Sequence, residues 1–454
     1  MAASTRQVLS LEERIAAGKA LRDATPLDSH AGWTPHKDRR DPIKILVEQN
    51  KTRMPALVPI RFGRMMQSPF TFFRGAAAVM AADLAHTPAS GIRVQCCGDC
   101  HVLNFGGFAT PERQISFDMN DFDETLPAPW EWDLKRLATS FVLAGRANKL
   151  RGKDIRAMVR ELVWTYRTQM AEFARMNELD VWYSKFDLEK AITELKDRKW
   201  AKRIHARIKK TQAESAEHIQ PIMVEQKGGK ITIKDQPPVI FHLRHHKRSI
   251  TTAMQALNSY RESLAEDRRV LLDRFQLVDA AFKAVGIGSV GTICTVGLFM
   301  ASQTDSLFLQ VKQANASVLE PYAGKSRYNH HGQRVVMGKR LMQAASDIFL
   351  GWGTSKIMNH QFYVRQLRDW KIKPLVETFD EDQFLRYAQV TGWILARAHA
   401  RSGKAAEIRG YLGKKDVFDD TMIKFATDYA DQTERDHSEL MKAIRSGRIK
   451  ATSE

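Results

Sequence analysis

Apolar residues recur at helical spacing over most of this chain and alternate at strand spacing in a few short stretches. Leu11 to Asp23 reads as a helix, and a polar, Pro- and His-containing arm follows from Thr25 to Pro42. Phe70 to Ala85 reads as one helix, with Phe72, Ala76, Met80 and Leu84 on one side. Val94 to Cys97 and Ile115 to Phe117 read as short strands. Pro127 and Pro129 block a helix until Trp130, after which Leu134, Leu137, Phe141 and Ala144 start one. Ile155 to Met176, Asp187 to Ile219 and Asp267 to Ala284 read as helices, with a short strand pair at Ile231 to Ile233 and Val239 to Leu243. From Ile293 to Phe299 the pattern alternates, and Leu307 to Val311 is an apolar strand. Gln333 to Leu350 is helical by spacing, Phe362 to Leu367 is a strand, and Gln383 to Arg401 is a strongly amphipathic helix. One or two helices close the chain between Val417 and Ile444.

The fold class expected is α+β. The expected organisation is an N-terminal arm (1–52), a helical lobe with a helical insertion (53–283), a small β-rich lobe (284–375) and C-terminal helices returning to the helical lobe (376–454). A chain of 454 residues can bury two or three sizeable cores. No apolar run approaches the ~18 residues of a membrane span. The first residues lack the basic-then-apolar order of a secretory signal, so a cytoplasmic protein with reduced thiols is expected. The formal net charge of +18 favours anionic partners, such as nucleotides or phosphorylated substrates. Part of that excess lies on the helical stretch Lys196 to Lys210, which reads as a solvated basic face; nucleic acid is the less favoured partner.

The polar residues that the core pattern does not explain fall in two places. Asp99, His101 and Asn104 sit in the loop leaving the first strand. Asp118, Asn120, Asp121, Asp123 and Glu124 follow the second strand within seven residues. So many oxygen ligands repel one another unless a cation or a basic partner is present, and Mg²⁺ favours one or two carboxylates plus substrate phosphates. Asp133 falls near a helix start, as a cap or as a brace for the Asp99 loop. Arg74 either pairs with an acid of this site or snorkels. Cys96, Cys97 and Cys100 lack a second pair at zinc spacing and read as small core residues.

Gly286, Gly288 and Gly291, with Ser289 between them, form G-x-G-x-x-G. The alternating residues beyond Gly291 make this a turn between two strands, which suits a loop covering phosphates rather than a dinucleotide fingerprint. Lys312 ends the next apolar strand, where a buried ammonium needs an anion.

The segment Gly98-Asp99-Cys100-His101-Val102-Leu103-Asn104 resembles the G-D-x-H-x-x-N loop of the aminoglycoside phosphotransferase and choline kinase branch of the protein-kinase-like superfamily. GDCHVLNFGGF, NDFDE, WDLKRLA, GSVGT and LARAHARSG together resemble the bacterial family called domain of unknown function 2252, over most of residues 40 to 440. The kinase resemblance implies a two-lobed fold with a small antiparallel sheet. Its lobes would stand in permuted order here, because Gly286 and Lys312 follow Asp99 instead of preceding it. It implies ATP and Mg²⁺ as cofactors and an unidentified polar or anionic acceptor. Asp99 would be the catalytic base, aided by His101. Asn104 with Asp118 or Asp121 would be metal ligands. Gly286, Gly288, Ser289, Gly291 and Lys312 would be nucleotide contacts, with Glu320 as candidate partner of Lys312. A nucleotide-binding pseudokinase and a two-metal phosphohydrolase on the Asp118 to Glu124 cluster are the alternatives.

Overall fold

The helix Trp130–Ala147 is buried on nearly every side, although it carries Glu131, Asp133, Lys135 and Arg136. Buried charges persist only with partners, and each of these finds one. Glu131 accepts from the Ser90 amide at 2.7 Å, and Lys135 donates to the Thr87 hydroxyl at 2.9 Å. Asp133 and Arg136 turn instead to the loop that carries Asp99.

The structure, a computed structural model, describes residues 8–213, 223–227, 229–237, 239–242, 257–283, 286–288, 290–367 and 370–452. Its described helices are α1 (Leu11–Ala24), α2 (Pro42–Gln49), α3 (Val58–Met65), α4 (Pro69–Gly75), α5 (Ala77–Leu84), α6 (Trp130–Ala147), α7 (Gly152–Phe173), α8 (Glu178–Tyr183), α9 (Leu188–Thr193) and α10 (Arg198–Ala213). They continue with α11 (Glu266–Leu272), α12 (Glu320–Ala323), α13 (His331–Met342), α14 (Glu381–Ala400), α15 (Ala405–Leu412) and α16 (Val417–Arg445). The strands are β1 (Arg93–Cys96), β2 (Phe105–Ala109), β3 (Ile115–Met119), β4 (Leu126–Pro129), β5 (Val224–Lys227), β6 (Lys230–Ile233), β7 (Ile240–Phe241) and β8 (Gln276–Lys283). β9 (Cys294–Met300), β10 (Ser306–Gln313), β11 (Gly351–Ser355) and β12 (His360–Gln366) complete the set.

The fold is mixed α+β. The largest core joins α6, α7, α14 and α16, with Trp130 stacked on Tyr166 at 5.6 Å between ring centroids. Each such side chain contributes about 1.5–3 kcal/mol by burial. The N-terminal arm docks on this body. A Cβ on Gly18 would stand 1.9 Å from the Glu407 carbonyl oxygen, so only glycine lets α1 approach α15 so closely. β7 to β12 form one antiparallel sheet in the order β11-β12-β10-β9-β8-β7. Two hairpin-like pairs, β1 with β4 and β2 with β3, lie in the helical part. The prolines of β4 are tolerated because β4 pairs only with β1.

Several elements differ from the expectation. The single helix over Phe70 to Ala85 is broken into α4 and α5 at Ala76 (φ −112°, ψ 31°), where Gly75 abuts Met65. The helix expected over Asp267 to Ala284 ends at Leu272, and β8 replaces its second half. Residues 276 to 283 suit either period. Pairing with β9 decides, and the buried Asp279 accepts from the Ile233 amide at 2.6 Å. The long helix from Asp187 is interrupted between α9 and α10, and its last residues lie outside the described ones. The ring nitrogens of His242 lie 2.8 Å from Asp235 and 3.1 Å from Asp279. No helix among the described residues is long and apolar enough to cross a membrane.

Candidate active site

β1 ends at Cys96, and the chain must turn at once under α6. Gly98 makes that turn at φ +80°, and a Cβ there would stand 2.4 Å from the Glu124 carbonyl oxygen. Asp133, in the first turn of α6, accepts from the amides of Cys97 (2.7 Å) and Gly98 (3.0 Å). Asp133 is therefore the brace of this loop rather than a helix cap. The three neighbouring cysteines are buried free thiols, and burial raises each of them above its ordinary pKa. Cys96 and the pair Cys97–Cys100 do cluster with Asp133, but both of its oxygens already serve the loop amides.

Asp99 then faces a cavity of about 440 Å³, with His101 and Asn104 on the same wall. Its carboxylate accepts from Arg136 of α6 at 2.5 and 2.7 Å. Burial nevertheless pushes Asp99 up to about 6, against the pull of Arg136 and Arg74. His101 is held well below its ordinary value by burial and by the charges of Arg74 and Arg136. Its Nδ1 accepts from the Leu103 amide at 3.2 Å, which leaves Nε2 as the protonated nitrogen. The Asn104 amide donates to the Asp99 carbonyl and so closes the loop on itself.

The acidic stretch divides between two tasks. Asp118 points away from the cavity. Its oxygens accept from Arg397 of α14 at 2.6 and 2.8 Å, both side chains being almost wholly buried, and from the Ala344 amide at 3.0 Å. Asp121, Asp123 and Glu124 line the cavity. Burial alone would raise Asp121, but Lys312, Arg365 and Lys371 outweigh it and lower its pKa. Asp123 takes a proton-donor pair, Lys312 Nζ at 2.8 Å and the Tyr363 hydroxyl at 2.5 Å. Glu124 accepts from the Val318 amide at 2.7 Å, and burial pushes it up to about 7.

The glycine-rich turn lies between β8 and β9, as its pattern predicted, and covers the opposite side of the same cavity. Gly286 and Gly291 have φ of +63° and +90°. A Cβ on Gly288 would lie 3.9 Å from an Asp99 oxygen, which brings the turn onto the loop nearly two hundred residues away in sequence. The Gly291 carbonyl accepts from the Met54 amide at 2.7 Å, and the Gly286 carbonyl from Arg64. Ser289 lies outside the described residues. Lys312 sits on β10, the strand after the turn-bearing pair, and Asp123 overcomes the cost of burying it and keeps it charged. Glu320 does not meet Lys312. It caps the turn at Ser317, whose amide it accepts at 3.3 Å.

Sequence reasoning missed four partners. Arg136 and Arg397 sit inside apolar helical rows, where an arginine carries no signal of its own. Tyr363 emerges only from the register of β12 with β10, which sets it opposite Lys312. Arg334 of α13 donates to the carbonyls of Asp123, Thr125 and Asn315 at 2.8, 2.6 and 2.8 Å, fixing the acidic turn from outside. Arg74 lines the cavity and makes no hydrogen bond or ion pair among the described residues. Burial lowers its pKa, opposed by Asp99.

Fold and cavity together define an α+β protein whose polar site lies between a six-stranded antiparallel sheet and a helical body. Residues 53–443 match the family described as "Uncharacterized protein conserved in bacteria (DUF2252)", and the chain belongs to that family. No curated protein and no solved structure matches it.

Proposed function

We propose that the chain is an ATP- and Mg²⁺-dependent phosphotransferase of protein-kinase type, with its lobes in permuted order, acting on a hydroxyl of a small polar or anionic acceptor. The observation that carries this reading is one cavity shared by three distant stretches. These are the Asp99 loop, the Asp121-Phe122-Asp123 turn bonded to Lys312, and the Gly286–Gly291 turn. Strand, glycine turn, strand and lysine strand follow one another in the order of a phosphate-binding lobe. The chain just past α14 meets β1, where Ser402 Oγ accepts from the Gln95 amide at 2.9 Å, as a permuted chain would require.

The residues present suit the implied groups. Asp121 and Asn104 would hold Mg²⁺, which supplies neutralisation of phosphate charge; Asp118 is engaged by Arg397 and would not. Gly286 and Gly288 leave backbone facing the cavity without side chains to block an approach. Arg74, which has no hydrogen-bond or ion-pair partner among the described residues, sets its guanidinium beside Asp99, where it suits phosphate oxygens. Asp99 orients the acceptor hydroxyl and takes its proton, while Arg136 fixes the carboxylate. His101, neutral, holds the loop rather than exchanging the proton. Catalysis of this class rests on positioning and electrostatics, so this small set suffices.

The ion pair of Asp99 with Arg136 favours one second reading, a module that binds nucleotide without transfer, because a paired carboxylate is a weaker base. A two-metal hydrolase is disfavoured by Asp123, whose oxygens are taken by Lys312 and Tyr363. Calorimetry of Mg²⁺-dependent ATP binding to wild type, Lys312→Ala and Asp121→Ala tests the proposal. Binding in the wild type and its loss in both variants is the expected result; no binding in the wild type refutes it. Turnover over an acceptor panel then separates transferase from binding module.

A further inference from the structure

A second cavity, of about 380 Å³, shares no lining residue with the first. It lies among α7, α9, α10, α14 and residues 372–379. Its walls are apolar and largely aromatic, led by Trp164, Trp200, Ile204, Ile208, Phe379 and Trp393. Trp164 is 47% exposed, with no residue among the described ones covering that part of its ring. The volume falls in the range of small-ligand pockets, about 300–1,000 Å³.

Basic side chains outnumber acidic ones on the lining, with Arg207, Lys373 and Arg386 against Glu161 and Glu194. α10 holds seven Lys and Arg and no acid; Trp200, Ile204 and Ile208 face the groove while Lys199, Lys202 and Arg203 face solvent. Arg207 of the same helix lines the groove and spends one nitrogen on the Lys373 carbonyl at 2.7 Å. Lys373 and Arg386 line it too, and among the described residues Arg386 reaches only a neutral partner, Gln389, at 2.9 Å. The acids on the lining are Glu161 and Glu194. Glu161 accepts from Gln389 at 2.7 Å and Thr165 at 3.4 Å, and Glu194 is exposed. An apolar trough with cations at its mouth complements a molecule with an apolar body and an anionic end. The trough is concave, with helices on both sides, so it encloses a single chain; a bilayer surface would instead need a protruding apolar face.

We propose that this groove binds a free single-chain anionic amphiphile, an alkyl carboxylate or alkyl phosphate. The chain lies along Trp200, Ile204, Ile208 and Trp393, and the head group meets Arg207, Lys373 and Arg386. Such a ligand would also touch Phe117 of β3 and Tyr387, whose hydroxyl donates to the Val102 carbonyl in the Asp99 loop at 2.6 Å.

The test titrates laurate, dodecyl phosphate and dodecanol, each below micelle-forming concentration, into the full chain, read by tryptophan fluorescence and calorimetry. Saturable one-to-one binding of both anions is expected, with dodecanol weaker by about tenfold or more, the worth of one charge-assisted hydrogen bond. Arg207→Ala with Arg386→Ala, both at the rim, should bring laurate down to the affinity of dodecanol and leave dodecanol unchanged. Ile204→Glu should weaken all three ligands, with an unchanged melting temperature as the folding control. Asp99→Asn should leave laurate binding intact, which keeps this result independent of the phosphotransferase reading. No saturable binding, equal affinity for laurate and dodecanol, or binding to anionic vesicles alone would overturn the proposal.

Discussion

Asp118→Ala separates a structural carboxylate from a metal ligand. In the folded chain Asp118 and Arg397 are 2% and 1% exposed, and two N–H···O contacts of 2.6 and 2.8 Å join them. Removing the carboxylate leaves the Arg397 charge buried and the Ala344 amide without its acceptor. Breaking a buried pair from one side costs about 3–5 kcal/mol. Unfolding entropy of about 2.1 cal/mol/K per residue makes roughly 1 kcal/mol per degree for 454 residues, so the melting temperature should fall by about 3–5 °C. The assay is thermal melting beside calorimetry of Mg²⁺-ATP binding at a temperature where the variant is folded. Reduced stability with binding retained is expected. Asp118→Leu combined with Arg397→Met should recover much of the loss, because an apolar pair leaves no charge unpaired. A variant that melts like wild type but loses Mg²⁺-dependent binding would refute the reasoning and return Asp118 to the metal site.

Further outcomes follow from the same geometry. Asp133→Ala leaves the buried amides of Cys97 and Gly98 without acceptors, at about 1–3 kcal/mol each, and denaturant unfolding should show the sum. Gly98→Ala should lower stability and any turnover together, since alanine at φ +80° would also press on the Glu124 carbonyl. Lys312→Ala should weaken nucleotide binding by about tenfold or more in calorimetry, the loss of one charge-assisted contact. With Asp99 raised to about 6 from its ordinary 3.8, a phosphotransferase rate should fall as pH drops through about 6, where the base takes up its proton. The folded carboxyl binds its proton more tightly than the unfolded one, so this group's contribution to stability should fall as pH rises from about 4 to about 6. Asp99→Asn should remove both dependences.

Much of this protein was legible in the sequence because it is encoded locally. The periods around Leu11, Leu134 and Gln383 foretold α1, α6 and α14, since an amphipathic helix needs only its own face to be apolar. The alternation from Ile293 and the glycines before it foretold a turn leading into β9, although the strand ahead of that turn had the period of a helix. Asp99, His101 and Asn104 announced themselves as polar residues leaving a buried strand, and the match of residues 53–443 agrees with the motifs read there.

What tertiary structure alone decided is which charge meets which. Asp118 and Asp121 are three residues apart and equally acidic in sequence, yet one is locked to Arg397 and the other faces the cavity. Their difference lies in which side of the β3 end each occupies and in α14 arriving from the far end of the chain. Lys312 meets Asp123 rather than the nearer Glu320 because a side chain on β10 stands off the face of the sheet, where the Asp123 turn lies, and not along the chain. Residues 276 to 283 became β8 because β9 offered a ladder that a lone helix there could not match. Local periodicity determines which elements form; the pairing of buried charges depends on packing between elements hundreds of residues apart, and no local pattern carries that information.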